Sequence, residues 1–207
     1  DGIITSYPFF GYEPVHPKQE QKYLTDEELH RIMSTPLHSP SLYLVRDMFL
    51  FSCYTGIPYG DMRLLTAANL SKTSDGAWRI KGVREKTGME FEIPLLELPL
   101  RIIRKYRDTA PEGRLLPMYA NSTMNLYLKR IAHICGINRK LVFHSGRHTY
   151  ATEITLSHGI PLETVSRMLG HSRIETTQIY AKVTDDKIDS DTNSLNERIA
   201  ERFSVVI

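Results

Sequence analysis

Cysteine occurs only twice in 207 residues, at Cys53 and Cys135, and never as a Cys-x-x-Cys pair. That leaves no structural zinc site of the paired-thiolate kind and fits buried thiols in a reducing compartment. Long hydrophobic runs are missing too: no stretch is apolar enough to cross a bilayer. There is no internal repeat and no low-complexity tract. An excess of either charge is also absent, since 26 Lys and Arg face 24 Asp and Glu for a net charge of +2. Most nucleic-acid-binding domains are more basic, so any nucleic-acid contact must come from clustered cations. The charge is uneven: Lys72, Arg79, Lys81, Arg84 and Lys86 gather in one segment, while Asp185, Asp186, Asp189 and Asp191 gather near the end.

What is present suits one large domain. The chain begins Asp1-Gly2-Ile3, which is neither an initiator nor a secretory leader, so a fragment or processed chain with residues missing upstream is expected. Residues 1–22, with Pro8, Pro14 and Pro17 and no helical period, read as a linker, and residues 23–207 as the folded domain. Thr25 followed by Asp26, Glu27 and Glu28 is a capping box, after which Leu29, Ile32 and Met33 share one face. Residues 41–54 suit a buried helix broken by Thr55-Gly56, and a short helix follows at Asp61 to Leu65. Between 76 and 95 two alternating segments flank a turn near Gly88, the signature of an antiparallel hairpin. Helical patterns return at about 96–107, 121–135, 145–157, 161–169, 174–181 and 184–200, ahead of the apolar tail Phe203 to Ile207. That tail is expected to dock on a neighbouring subunit or on its own domain. The expected fold class is mainly α with a small antiparallel sheet of three strands, an α+β domain.

Three pieces of the last third carry chemistry: His144-Ser145-Gly146-Arg147-His148, Leu169-Gly170-His171, and Tyr180 nine residues later. Attack on a phosphodiester builds negative charge on the non-bridging oxygens, which fixed donors must meet. Arginine offers a planar fork for phosphate oxygens. Histidine donates a hydrogen bond or takes a proton near neutral pH. A tyrosine hydroxyl, with a pKa near 10, is a poor nucleophile until its neighbours stabilise the phenolate. His144 and Arg147 are three apart and share a face at a helix start, where free backbone N–H groups also favour anions.

The pattern His144-x-x-Arg147-His148-Thr149-Tyr150-Ala151-Thr152, then Leu169-Gly170-His171, then Thr176-Thr177-x-x-Tyr180 resembles the phage-integrase, or tyrosine recombinase, family. The resemblance is strongest over residues 144–181, with weaker traces back to about residue 23. It implies the tyrosine recombinase catalytic-domain fold and a DNA strand-transfer enzyme that cuts and rejoins DNA. Tyr180 is then the nucleophile that forms a 3′-phosphotyrosyl bond and frees a 5′-hydroxyl. Arg147 is the second active-site arginine, on the scissile phosphate. His144 and His171 hydrogen-bond that phosphate or assist proton transfer. Lys86 matches the hairpin lysine that protonates the leaving oxygen, and Asp61 the acidic residue that braces the site. The implied partner is double-stranded DNA, on which the full-length protein assembles as a homotetramer, with no metal or other cofactor and no membrane. The implied location is the cytoplasm of a bacterium, on a chain derived from a mobile element or phage, and further DNA-binding domains are expected upstream.

One position departs from the family pattern. Where the family has Thr-Gly-x-Arg, this chain reads Thr55-Gly56-Ile57-Pro58, so the first phosphate-binding arginine is missing. Either the protein binds DNA without cutting it, or another arginine fills the space. Arg63 lies five residues on. Arg84 stands two before Lys86 and, in a continuous strand, would face the same side. That period favours Arg84. Two unrelated readings stand beside this one. His144 and His148 have a zinc-ligand spacing, but Ser145 replaces the glutamate of His-Glu-x-x-His and Arg147 would repel a cation. The segments 161–169 and 174–181 resemble a helix-turn-helix, which leaves Tyr180 and the histidines without a role. A type IB topoisomerase would use similar residues to relax DNA instead of exchanging strands.

Overall fold

The computed structural model describes residues 22–181 and 185–200, with the side chains of 185–191 left out. The expected linker, apart from Lys22, the acidic side chains of 185–191 and the tail Phe203 to Ile207 lie outside the described residues.

Helix α1 (Asp26–Ser34) opens on the capping box: the Thr25 hydroxyl accepts from the Glu28 amide, and the Glu28 carboxylate accepts from the Thr25 amide. Arg139 pairs with the same carboxylate, which ties the helix start to the loop after α5. Leu29 and Ile32 are buried. Met33, expected on the same face, is 38 % exposed at its edge.

Helix α2 (Pro40–Thr55) runs through the middle of the domain. It starts on Ser39 with Pro40 in its first turn, and its residues from Met48 to Cys53 are all buried. Such a helix is apolar on every side because it has neighbours on every side. Helices α4 (Glu97–Tyr106), α5 (Asn121–Ile134) and α6 (Ser145–Thr149) pack around it. Its one buried carboxylate, Asp47, accepts from Tyr106 Oη at 2.9 Å and Lys105 Nζ at 2.5 Å, so the buried charge is met. Gly56 ends α2 at φ +68°, and a Cβ there would come within 2.5 Å of the Tyr150 ring. The short helix α3 (Tyr59–Met62) follows directly, starting at Pro58.

The sheet has three antiparallel strands in the order β1 (Leu70–Lys72), β2 (Trp78–Val83), β3 (Glu90–Pro94). Ile80 faces Ile93 across the β2–β3 pair, and both are buried. Helix α7 (Leu162–Leu169) packs on β3, which brings the hairpin against the last third of the chain.

The expected helix 145–157 differs from a plain α-helix. After α6 the chain widens into a π-helical stretch over Tyr150–Thr155 and tightens into a 3-10 turn over Leu156–His158. The hydroxyls of Thr149 and Thr155 donate back to the carbonyls of Ser145 and Ala151, bonds that compete with the regular ladder and bend helices. Helix α8 (Glu175–Gln178) is a single turn, far shorter than a recognition helix. Helix α9 (Asp185–Ala200) closes the described chain. Among the described residues no helix is long and apolar enough to cross a membrane.

Candidate active site

The site forms where α6, the α7–α8 turn, the residues after α8 and the start of the β2–β3 turn converge. Arg147 stands on α6 and is only 4 % exposed. Its guanidinium donates to the Gly56 carbonyl at 2.7 Å and to the Leu169 carbonyl at 2.8 Å. Both carbonyls sit at helix ends, where the ladder leaves acceptors free. The same Nη2 lies 2.8 Å from His171 Nε2. Burial lowers the guanidinium pKa to about 10, which still leaves a cation at neutral pH.

His171 follows Gly170, which ends α7 at φ +62°. The ring's other nitrogen, Nδ1, is 2.7 Å from the hydroxyl of Thr177, a fully buried residue on α8. Burial, with the positive charges of Arg147 and Arg84, pushes the His171 pKa down to about 4. His148, half-buried on α6, is pushed to about 4 by burial and by the charges of His144, Lys22 and Arg147. His144 lies at the exposed rim, where partial desolvation of its ring, together with the charges of Arg147, Arg84 and Lys22, lowers its pKa as well. The histidines are therefore neutral imidazoles at pH 7, each able to offer one N–H and one lone pair.

Tyr180 completes the group. Its ring stacks on His171 at 6.3 Å between centroids and 8° between planes, and His148 meets it edge-on at 5.1 Å. It is 7 % exposed. Burial raises its pKa, while the charges of Arg147 and Arg84 act in the opposite direction. The free protein thus holds a protonated phenol beside two guanidinium groups.

The hairpin supplies a second buried cation. Arg84, 8 % exposed, pairs with Asp61 at 2.5 Å, and the other oxygen of Asp61 accepts from the Glu85 amide at 3.0 Å. The guanidinium lies over Phe91, 5.6 Å from the ring centroid, and its charge acts on Tyr180, Arg147, His144 and His171. Gly170 makes room for the Arg84 stem: a Cβ there would meet Arg84 Cγ at 3.0 Å. Pro58 begins α3 and offers no donor. Arg63, at the end of α3, is exposed and makes no side-chain hydrogen bond or ion pair among the described residues.

The strand argument that put Arg84 and Lys86 on one side does not hold. Strand β2 ends at Val83, and Arg84 opens a turn in which its carbonyl accepts from the amides of Thr87 and Gly88. The period of two stops there, so Arg84 points inward while Lys86 is exposed at the tip. Lys86 has no hydrogen bond or ion pair among the described residues.

Of the residues singled out from sequence, the structure brings together Tyr180, Arg147, His171 and Arg84, with Asp61 behind Arg84. His144 lies at the rim, edge-to-face with His148 at 4.9 Å. Among the described residues no third His, Cys or carboxylate stands ready to complete a metal set with them. Sequence reasoning missed His148 as a neighbour of Tyr180 and Thr177 as the partner of His171. Thr177 lies three residues before Tyr180 and six after His171, a spacing that a one-turn helix brings together.

The profile of the phage integrase family matches residues 22–187. The chain is 28 % identical over 193 residues to tyrosine recombinase XerD of Chlorobaculum tepidum, covering 83 % of this chain and 62 % of that protein. It is 30 % identical over 186 residues to tyrosine recombinase XerC of Neisseria meningitidis serogroup B, covering 84 % and 60 %. It thus spans about three fifths of the length of such relatives. Among solved structures, the fold is similar to the XerH site-specific recombinase in a post-cleavage complex with its difH substrate (TM-score 0.67, 15 % identity, 83 % of this chain and 52 % of that one). It is also similar to a lambda integrase dimer bound to a core site (TM-score 0.62, 18 % identity, 86 % and 65 %).

Proposed function

This chain belongs to the phage integrase family, and from that premise we propose that it is the catalytic domain of a site-specific DNA recombinase with Tyr180 as its nucleophile. The observation that carries the reading is the convergence of Arg147, His171 and Tyr180 from three separate segments, with the guanidinium 2.8 Å from the imidazole and the phenol ring stacked on it. A buried cation, neutral imidazoles and a tyrosine hydroxyl in one place are what transfer of a phosphoryl group calls for.

The Tyr180 oxygen attacks the phosphorus, forming the tyrosyl–phosphorus bond as the bond to the 5′ oxygen breaks. Arg147 and Arg84 bind the non-bridging oxygens, and His171 and His144 donate to them or relay the phenol proton. Arg84 takes the place that Pro58 leaves empty, with Asp61 holding it. Lys86 delivers a proton to the leaving 5′ oxygen, which requires the exposed hairpin tip to close over DNA. The phosphotyrosyl bond conserves the energy of the phosphodiester, so a 5′-hydroxyl reverses the step without cofactor. The partner is double-stranded DNA. Exchange between two duplexes needs four such cuts, hence a homotetramer of the full-length protein on DNA. With relatives of the Xer type and a fold shared with integrases, the chain suits a mobile element of a bacterium or phage.

The test is capture on nicked suicide duplexes of randomised core sequence. Wild-type protein forms a denaturant-resistant adduct, and Tyr180→Phe and Arg84→Ala form none while still shifting DNA in native gels. Retained DNA binding with no adduct from the wild type supports the second reading, a homologue that binds but cannot cut because of Pro58. Wild-type cleavage by Arg84→Ala removes that residue from the chemistry.

A further inference from the structure

His171 is held from both sides, and the side away from the phosphate position has no assigned role. Arginine can only donate, so the 2.8 Å contact from Arg147 Nη2 makes His171 Nε2 an acceptor. In a neutral imidazole the proton then sits on Nδ1, and the only polar atom that the described residues give it is Thr177 Oγ1 at 2.7 Å. Thr177 is wholly buried, so water does not compete for this bond. A phosphate oxygen arriving between Arg147 and His171 is itself an acceptor. His171 can bind it through Nε2 only if Nε2 carries the proton, and a neutral ring then needs a donor at Nδ1. A hydroxyl serves either way, because it both donates and accepts and its hydrogen rotates freely.

We propose that Thr177 is a positioning residue for His171: its hydroxyl accepts from Nδ1–H in the free protein and donates to Nδ1 when Nε2–H binds the phosphate. The reversal lets the imidazole exchange tautomers without turning, with neither nitrogen left unpaired. Thr177 touches neither the reacting atoms nor DNA. It acts through His171 and stands on the same short helix that leads to Tyr180, so the ring on which Tyr180 stacks is fixed by the element that carries Tyr180.

The tautomer half of the proposal stands on geometry alone, and the phosphate half rests on the recombinase reading. Long-range ¹H–¹⁵N imidazole spectra of the full free chain, with the His171 signals assigned by comparison with His171→Gln, should show a single Nδ1–H tautomer in the wild type. The isosteric Thr177→Val should give mixed tautomers or a mobile ring, and Thr177→Ser should restore the wild-type pattern. A wild-type Nε2–H tautomer, or a Val variant with unchanged His171 signals, overturns the proposal. Even if the Val variant fails to fold, the wild-type spectrum alone decides the tautomer. Capture on the randomised nicked duplexes then reads the second half: adduct formation falls on the order of ten- to a hundredfold in Thr177→Val and returns in Thr177→Ser. Equal rates for wild type and Val would overturn the phosphate role. Absence of any wild-type adduct would sink the recombinase reading while the tautomer result remained.

Discussion

The two halves of the site are built in opposite ways. On the helical side, Arg147 is buried and His171 half-buried, both are paired at each polar atom described above, and Tyr180 lies against His171. On the hairpin side, a single residue separates a buried arginine, locked by Asp61, from a lysine at an exposed tip with no partner among the described residues. The contrast teaches that the buried cations are already assembled in the free protein, so on the proposed reading they would cost little reorganisation when charge develops. On the proposed reading, the proton donor for the leaving group is instead held in solvent, and closure of the hairpin would have to deliver it. Arg84 belongs to the first half although the chain carries it on the second.

That division makes the hairpin's arginine and lysine respond differently to change. The largest effect is expected for Asp61→Ala, which strands the Arg84 charge among Phe91 and Gly170. Breaking a buried pair from one side costs on the order of 3–5 kcal/mol, and thermal denaturation should show a fall of about 10 °C. A small change would place Arg84 in solvent and dissolve the contrast. Gly170→Ala comes next: a Cβ at φ +62° and 3.0 Å from Arg84 Cγ should cost roughly 1–3 kcal/mol in a denaturant titration and loosen Arg84.

The imidazoles sharpen the comparison through pH. His148 and His171 titrate near 4 in the folded protein, below the unfolded value of about 6.5. Between those values the unfolded chain binds more protons, so stability is full above pH 6.5 and is lost as pH falls toward 4. Each group should contribute on the order of 1 kcal/mol after allowance for solvent screening. Denaturation midpoints that stay level from pH 7 to 4 would mean the rings are not buried against Arg147. The smallest effect on folding belongs to Lys86→Ala, within about 0.5 kcal/mol of wild type. In capture assays the same variant should cleave at least a hundredfold more slowly, as loss of a general acid implies. A substrate with sulfur in place of the leaving 5′ oxygen should restore it, because a thiolate leaves without a proton.

Much of this was readable from the chain because the signals are local. Thr25 and Glu28 announce the start of α1, Gly56 and Gly170 mark the ends of α2 and α7, and the alternation around Gly88 gives the hairpin. Arg147, His171 and Tyr180 stand out by their order and spacing. What escaped depends on partners distant in sequence or on local competition. A third strand was expected but not its place: β1 is three residues long and exists through its pairing with β2. The π-helical stretch after α6 comes from threonine hydroxyls bonding back to the helix. The pairing of Arg84 with Asp61 spans 23 residues and places Arg84 inside, where a strand period that ends at Val83 could not. The burial of Tyr180 likewise needs α6 and the α7–α8 turn to be in place.

The most direct measurement is to digest the trapped protein–DNA adduct and map the modified peptide by mass spectrometry. The account predicts a nucleotide joined through its 3′ phosphate to Tyr180, with a free 5′-hydroxyl on the released strand. A nucleotide on any other side chain, or cleavage that leaves no protein-bound phosphate, would contradict it.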